Sequence, residues 1–91
     1  MSSRAVASPD DLEQFARELK KFNAQLTSSM AQLQNRFNRL GDTWRDQEQQ
    51  KFAGEFEQAM RALQQFVKAA DEQAPSLVRK AQHLRAYLGQ R

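Results

Sequence analysis

The sequence contains no cysteine, only two prolines and only three glycines among its 91 residues. Without cysteine the chain has no disulfide framework and no thiolate chemistry, and its redox compartment stays open. Proline and glycine interrupt regular structure, so their scarcity indicates long continuous elements. β-branched residues are also rare, which leaves strands almost without support. The remaining composition is rich in Ala, Leu, Glu, Gln, Lys and Arg, and it predicts one small all-α domain.

Long apolar runs are missing as well. No run exceeds three residues, which excludes a transmembrane helix by sequence. The first eight residues carry one charged side chain and no apolar segment, which is not the pattern of a secretory signal peptide. These features favour a cytoplasmic location, unless a route without a cleaved signal exports the protein.

Groups that could carry catalysis or bind a metal are almost absent. The single histidine, His83, has Lys80 three residues before it, where a bundle metal site would place glutamate. There is no cysteine, no second histidine and no glycine-rich phosphate loop. The sequence therefore predicts no catalytic residue, no cofactor and no metal, and it argues against an enzyme.

The first helix is predicted over residues 9–40, after a disordered segment at 1–7. Ser8 is a typical N-cap, Pro9 suits the first helical position, and acidic residues follow at the positive end of the helix dipole. Leucine then recurs every seven residues, with aromatic residues beside it, over an arc of roughly 120°. The heptad consists of Leu12, Leu19, Leu26, Leu33 and Leu40. Gly41 comes next and predicts the end of the helix.

The second helix is predicted over residues 46–88, after a bend at 41–45 and with Asp46 as its capping residue. Its apolar residues also cover roughly 120°. Pro75 would normally break a helix, but the apolar phase continues through it. We therefore expect one helix with a kink near Pro75 rather than a third helix, with Gly89 ending it and residues 90–91 as a tail. The two helices predict an antiparallel hairpin of roughly 45–50 Å.

These apolar arcs are wider than the seam between two helices requires. A single hairpin would leave several large side chains in water, and each forfeits about 1.5–3 kcal/mol of burial. The sequence therefore predicts that two hairpins associate into a four-helix bundle. The interface candidates are Phe15, Phe22, Phe37, Trp44, Phe52, Phe56, Phe66, Leu84, Tyr87 and Leu88.

Trp44, at the bend, has two possible roles. It could fill the end of the bundle, with its indole N–H bonded to a nearby carbonyl. It could instead project toward a partner as an interface anchor.

This central Trp, the heptads before and after it and the aromatic residue Phe52 resemble the WXG proteins, small helical hairpins associated with type VII secretion. The resemblance spans residues 8–88. It implies a homodimer, or a dimer with a homologous hairpin, that serves as substrate, chaperone or adaptor. A secretion ATPase or a toxin would be a further partner.

The sequence departs from this family's pattern at two positions. Asp46 stands where the motif has glycine, and because aspartate is a good helix-capping residue the fold should tolerate the change. The family's export signal has a Tyr four residues before an acidic residue, whereas Tyr87 is followed by Arg91. The resemblance therefore supports the fold and dimerisation more than it supports export.

The charge pattern leaves an alternative function open: a small basic helical protein that binds nucleic acid or acts as a structural coiled coil. The net charge is +3, and residues 76–91 carry basic side chains without any carboxylate side chain. A hairpin folded about residue 44 would, however, bring Asp10, Asp11 and Glu13 toward Arg79 and Lys80. That pairing argues against both a nucleic acid and a membrane surface as partner.

Overall fold

The computed structural model describes residues 7–89, and these residues form two α-helices joined by a short bend. Helix α1 spans Pro9–Leu40 and helix α2 spans Gln47–Gly89. The helices run antiparallel and pack along each other, and no strand occurs within residues 7–89. The predicted all-α hairpin is thus confirmed. The predictions for residues 1–6 and for the 90–91 tail lie outside the described residues.

Both ends of α1 are stabilised by local hydrogen bonds. The Ser8 hydroxyl accepts from the Asp11 backbone N–H at 3.3 Å, so Ser8 is the N-cap. At the other end the Trp44 backbone N–H donates to the Leu40 carbonyl at 3.0 Å, and Arg45 Nε donates to the Gly41 carbonyl at 3.1 Å. Carbonyls that the last turn of a helix leaves unpaired are thereby satisfied within the bend.

Helix α2 begins one residue after Asp46, whose carboxylate accepts from the Gln49 backbone N–H at 2.9 Å. This is the geometry of an N-cap, which explains why the helix starts at Gln47. The helix then continues through Pro75 to Gly89, so a separate third helix is excluded. A kink at Pro75 stays a prediction.

The seam between the helices is narrow and made largely of small side chains. In α1 the buried residues Ala16, Asn23 and Met30 follow one another at heptad spacing. In α2 the buried residues are Met60, Ala70, Ala74 and Ala81. Small side chains let the helices approach closely, which leaves little room in the seam for the larger apolar residues. In the leucine heptad, Leu12, Leu19 and Leu26 are therefore only half-buried, and Leu33 and Leu40 are exposed.

The molecule is longer than the sequence analysis predicted. It measures 68 Å along its longest axis, which matches the length of α2, 43 residues at about 1.5 Å each. The prediction of roughly 45–50 Å was based on the shorter helix. Helix α1 has 32 residues, so the last turns of α2 project past the start of α1.

Candidate protein-interaction surface

Large apolar side chains line one broad face of the hairpin. Phe22 directly precedes the buried Asn23, so it points about 100° away from the seam. Phe66 stands in the same relation to Val67 on α2. The two rings meet edge to face with centroids 6.0 Å apart, which shows that both helices turn these side chains toward the same face. We call this face the apolar stripe; its exposed members are Phe15, Phe22, Leu33, Leu40, Phe52, Leu63, Phe66, Tyr87 and Leu88.

The apolar stripe is open to solvent in the single chain. Phe15 is 55 % exposed, Phe22 is 50 % exposed and Phe66 is 45 % exposed. Exposed leucines on the same face were not among the predicted interface residues: Leu33, Leu40 and Leu63. A signal for two of them was visible in the sequence, because Leu33 and Leu40 belong to the leucine heptad. Contiguous exposed apolar surface of this kind marks an interaction site.

A cluster of four aromatic rings occupies the bend end of the hairpin. Phe37 packs on Phe56 with ring centroids 4.7 Å apart, and Phe52 stacks on Phe56 at 6.0 Å. The Trp44 ring lies 5.9 Å from that of Phe52 and is half-buried. Trp44 therefore fills the end of the hairpin while part of its ring faces solvent. Phe37 and Phe56 are half-buried as well, so their own hairpin already covers much of their surface.

At the opposite end, Arg85 joins the two helices through ion pairs. Its guanidinium contacts Asp10 at 2.6 Å and Glu13 at 2.7 Å. The hydrogen bond from Arg85 lowers the pKa of the Glu13 carboxyl. The small stabilisation from this exposed pair is present above the usual glutamate pKa and is lost as the pH falls through the lowered value.

The predicted pairing of Asp10, Asp11 and Glu13 with Arg79 and Lys80 was wrong, because Arg85 takes that place. Helical side chains lean toward the N-terminus of their own helix. In antiparallel helices, Arg85 therefore leans toward the bend while the carboxylates of α1 lean away from it. The side chains therefore meet although their backbone positions are offset by several residues along the hairpin. A pairing that sets each residue directly opposite one residue of the other helix does not include this offset.

The end of α2 carries the remaining predicted interface residues. Tyr87 is 69 % exposed and Leu88 is 43 % exposed, as expected for side chains beyond the start of α1. Leu84 is half-buried, so it is partly covered by its own chain and offers a partner less surface than Tyr87 does.

Asn23 is the residue that sequence reasoning missed. Its side-chain amide is buried in the seam and donates to the Val67 carbonyl and to the Asp71 carboxylate, both at 2.9 Å. A signal was present, because Asn23 lies seven residues after Ala16 and seven before Met30. A lone asparagine at such a heptad position is known to fix the register of paired helices.

Within residues 7–89, no three side chains of His, Cys, Asp or Glu come close enough to hold a metal ion. No helix in that part of the chain is both long and apolar enough to cross a membrane. The prominent features of the surface are thus the apolar stripe, the aromatic bend and the charged far end.

A family model described as WXG100, proteins of 100 residues with WXG, matches residues 6–87. The chain belongs to the WXG100 family. It is therefore a non-enzymatic, type VII secretion-related helical hairpin, and WXG100 proteins typically form dimers with hairpin partners. No curated protein matches the sequence.

Solved structures of one WXG100 protein resemble the hairpin over nearly its whole length. They are crystal structures of EsxB, described as a secreted protein, from Bacillus anthracis str. Sterne. The wild-type structure is 29% identical with a TM-score of 0.74, and the match covers 91% of this chain and 95% of that one. A selenomethionine-labelled form is 28% identical with a TM-score of 0.74, covering 94% and 98%.

Proposed function

We propose that the chain is a protein-interaction module that pairs with a second hairpin into a four-helix bundle and acts in type VII secretion as substrate, chaperone or adaptor. The observation that carries the proposal is the apolar stripe. It runs along both helices on one face, so a flat partner of the same shape could cover it. The predicted interface residues are proposed here as its contacts, with Trp44 and Tyr87 at the two ends.

The size of the stripe argues for a stable pair rather than a transient contact. Fully burying one large apolar side chain contributes about 1.5–3 kcal/mol. Each hairpin exposes nine such side chains on this face, to between 37 % and 69 %, so each would gain roughly half of that value on association. Part of that gain is offset by the loss of translational and rotational freedom on association. A second copy of the chain would bring the same number, and two-fold pairing would place like surfaces together.

The proposal is tested by the molecular mass in solution and by a charge placed on the stripe. Sedimentation equilibrium at micromolar concentration should give twice the chain mass for a homodimer. The substitution Phe22→Glu should shift the mass toward the monomer, because it buries an unpaired carboxylate in the interface. Thr27→Glu adds the same charge on the opposite broad face and should leave the mass unchanged.

Two further results would be informative. A poorly folded monomer that becomes helical on mixing with a homologous hairpin would indicate a heterodimer. A well-folded, cooperative monomer with no tendency to associate would contradict the proposal.

The role in secretion is tested separately by following the protein in its own host. Because Arg91 stands where the family's export signal has an acidic residue, we expect the chain to stay mainly in the cell, as a chaperone or adaptor would. Immunoblots of cells and culture medium, with and without the type VII secretion ATPase, measure this directly. ATPase-dependent accumulation in the medium would identify a substrate instead. Capture of the ATPase or of a toxin with a similar hairpin would identify the further partner.

A further inference from the structure

A second surface lies on the broad face opposite the apolar stripe. An open groove of about 370 Å³ there is lined by Lys20 of α1 and by Ala74, Pro75, Val78, Arg79 and Gln82 of α2. Lys20 is five residues after Phe15, and Pro75 is nine residues after Phe66. At about 100° per residue these groups point roughly 140° and 180° away from those rings. The groove therefore stays open when a second hairpin covers the stripe.

The groove combines an apolar floor with positive charge at its sides. Ala74 is buried and Val78 is half-buried, while Lys20 and Arg79 are exposed. Neither cation lies within ion-pair distance of a carboxylate in residues 7–89, whereas Arg85 nearby is paired with Asp10 and Glu13. The two helices thus bring together two cations whose charge the hairpin itself does not neutralise.

Pro75, which lines the groove, leaves a backbone acceptor beside it without its usual partner. Proline has no backbone N–H, so the Asp71 carbonyl, four residues earlier, lacks its usual helical donor. Helical carbonyls point along the axis toward the residue four positions later, so this oxygen points toward the proline ring that lines the groove. Proline in a helix interior is strongly disfavoured, so Pro75 costs stability unless another interaction offsets it.

We propose that this groove binds an acidic peptide segment of a partner protein. Carboxylates of the segment pair with Lys20 and Arg79, and an apolar side chain lies on Ala74, Pro75 and Val78. Backbone N–H groups of the segment have an acceptor in the freed carbonyl of Asp71. A phosphate group alone would use neither the apolar floor nor this carbonyl. The proposal goes beyond dimerisation, since the lining residues belong to a single chain.

The test uses two labelled peptides and the full chain. One probe is a short fluorescein-labelled peptide of alternating glutamate and leucine, and the other has glutamine in place of glutamate. Fluorescence anisotropy should show binding of the acidic peptide that is about tenfold tighter than binding of the neutral one and that weakens with salt. Equal affinity for the two peptides would overturn the proposal.

Two double variants distinguish the effect of the groove cations on peptide binding from the effect of the net charge of the protein. Lys20→Gln with Arg79→Gln should weaken binding of the acidic peptide about tenfold. Arg39→Gln with Lys51→Gln removes the same charge near the bend and should change it less than about twofold. An equal loss in both would show diffuse attraction and would overturn the assignment. Sedimentation of the same samples shows whether pairing of the hairpins is intact, so a failure of the groove is distinguishable from a failure of the dimer.

The substitution Pro75→Ala tests whether the proline has a role in binding, because peptide affinity should not change if the proline is only structural. Alanine restores a backbone donor for the Asp71 carbonyl, so the Tm should rise while binding of the acidic peptide weakens. Unchanged peptide affinity would overturn the role given to the ring and the carbonyl. Tighter binding of anionic lipid vesicles or duplex DNA than of the acidic peptide, dependent on Lys20 and Arg79, would replace the proposed partner.

Discussion

Asn23 shows how a single side chain can constrain the alignment of a long helical pair. Its amide nitrogen donates to one backbone and one side-chain oxygen on α2, and these bonds exist only in one alignment of the helices. Its own side-chain oxygen is buried without a hydrogen-bond partner among the described residues. A buried unpaired acceptor costs free energy, so the residue contributes more to register than to stability.

Replacement of this amide by a carboxylate should destabilise the hairpin. Asn23→Asp would place a buried charge beside the Asp71 carboxylate and the Val67 carbonyl, at a cost of about 3–5 kcal/mol in the free energy of unfolding at neutral pH. Both the burial and the neighbouring charge raise the pKa of the introduced carboxyl above its unfolded value. Stability should therefore recover as the pH falls, because the folded state then holds a proton. Urea denaturation at several pH values measures this.

The control for that experiment is Asn23→Leu. It removes both hydrogen bonds and the unpaired oxygen and introduces no charge. Because leucine is larger than asparagine and the seam is tight, it should lower the free energy of unfolding by about 1–3 kcal/mol, and this loss should not depend on pH. Comparable destabilisation by leucine and aspartate, without pH dependence, would show that packing rather than charge governs the site.

Asp46 occupies the position where the family motif has glycine, and it caps α2. Asp46→Ala should lower the free energy of unfolding by about 0.5–2 kcal/mol, since the Gln49 N–H loses its acceptor. Asp46→Gly should lower the free energy of unfolding by only a few tenths of a kcal/mol, because glycine is tolerated at an N-cap. Chemical denaturation of the two variants ranks them. If glycine proved worse than alanine, the capping role would be disproved.

At the scale of the helices, local sequence carries most of the information. Ser8 and Asp46 are recognisable as caps because a hydroxyl or carboxylate there can reach a free N–H within three residues. The heptads predict two amphipathic helices for a similar reason, because the helical period can be read from the residues of one segment alone. The rotation of each helix about its axis, by contrast, is determined by contacts with the other helix. It depends on Ala16, Ala74 and Ala81 allowing close approach, and it leaves Leu33 and Leu40 of the leucine heptad exposed.

The end of α2 offers a test of an element that projects beyond its partner helix. Removal of residues 86–91 deletes Tyr87 and Leu88 but keeps Arg85 with its two carboxylate partners. The shortened chain should remain helical and keep its Trp44 fluorescence, because the bend lies at the other end. Its affinity for the second hairpin should fall about tenfold, as expected when partly buried apolar contacts are lost. Circular dichroism, fluorescence and sedimentation of the same samples measure the three properties.

Removal of residues 90–91 alone is the matched control, since it retains both apolar side chains and should leave the affinity unchanged. An unfolded product after removal of 86–91 would show that these residues support the hairpin itself. Unchanged affinity would show that this end takes no part in association.

For the whole molecule, the distribution of charge matters more than its net value. The positive excess predicted from the end of the sequence is partly neutralised within the fold, because Arg85 is held by Asp10 and Glu13. Sequence alone located the cations but not their partners, since the stagger of the helices decides which carboxylates they reach. Lys20 and Arg79, which form no ion pair within residues 7–89, make a small cationic area next to an apolar floor.

This distribution predicts weak binding to nucleic acid. Each phosphate contact adds about 0.9 to the slope of log affinity against log salt on duplex DNA, and strong binding requires many such contacts. With Arg85 already paired, the cations at this end could supply only a few. We expect a dissociation constant no tighter than tens of micromolar at physiological salt, on the order of non-specific binding. Anisotropy titrations of labelled duplex DNA at several salt concentrations measure both the affinity and the slope. Nanomolar affinity with a steep slope, lost in Lys20→Gln with Arg79→Gln, would establish nucleic acid as the partner of this face. Weak binding with a shallow slope would leave the acidic peptide as the ligand that uses its charge and its apolar floor together.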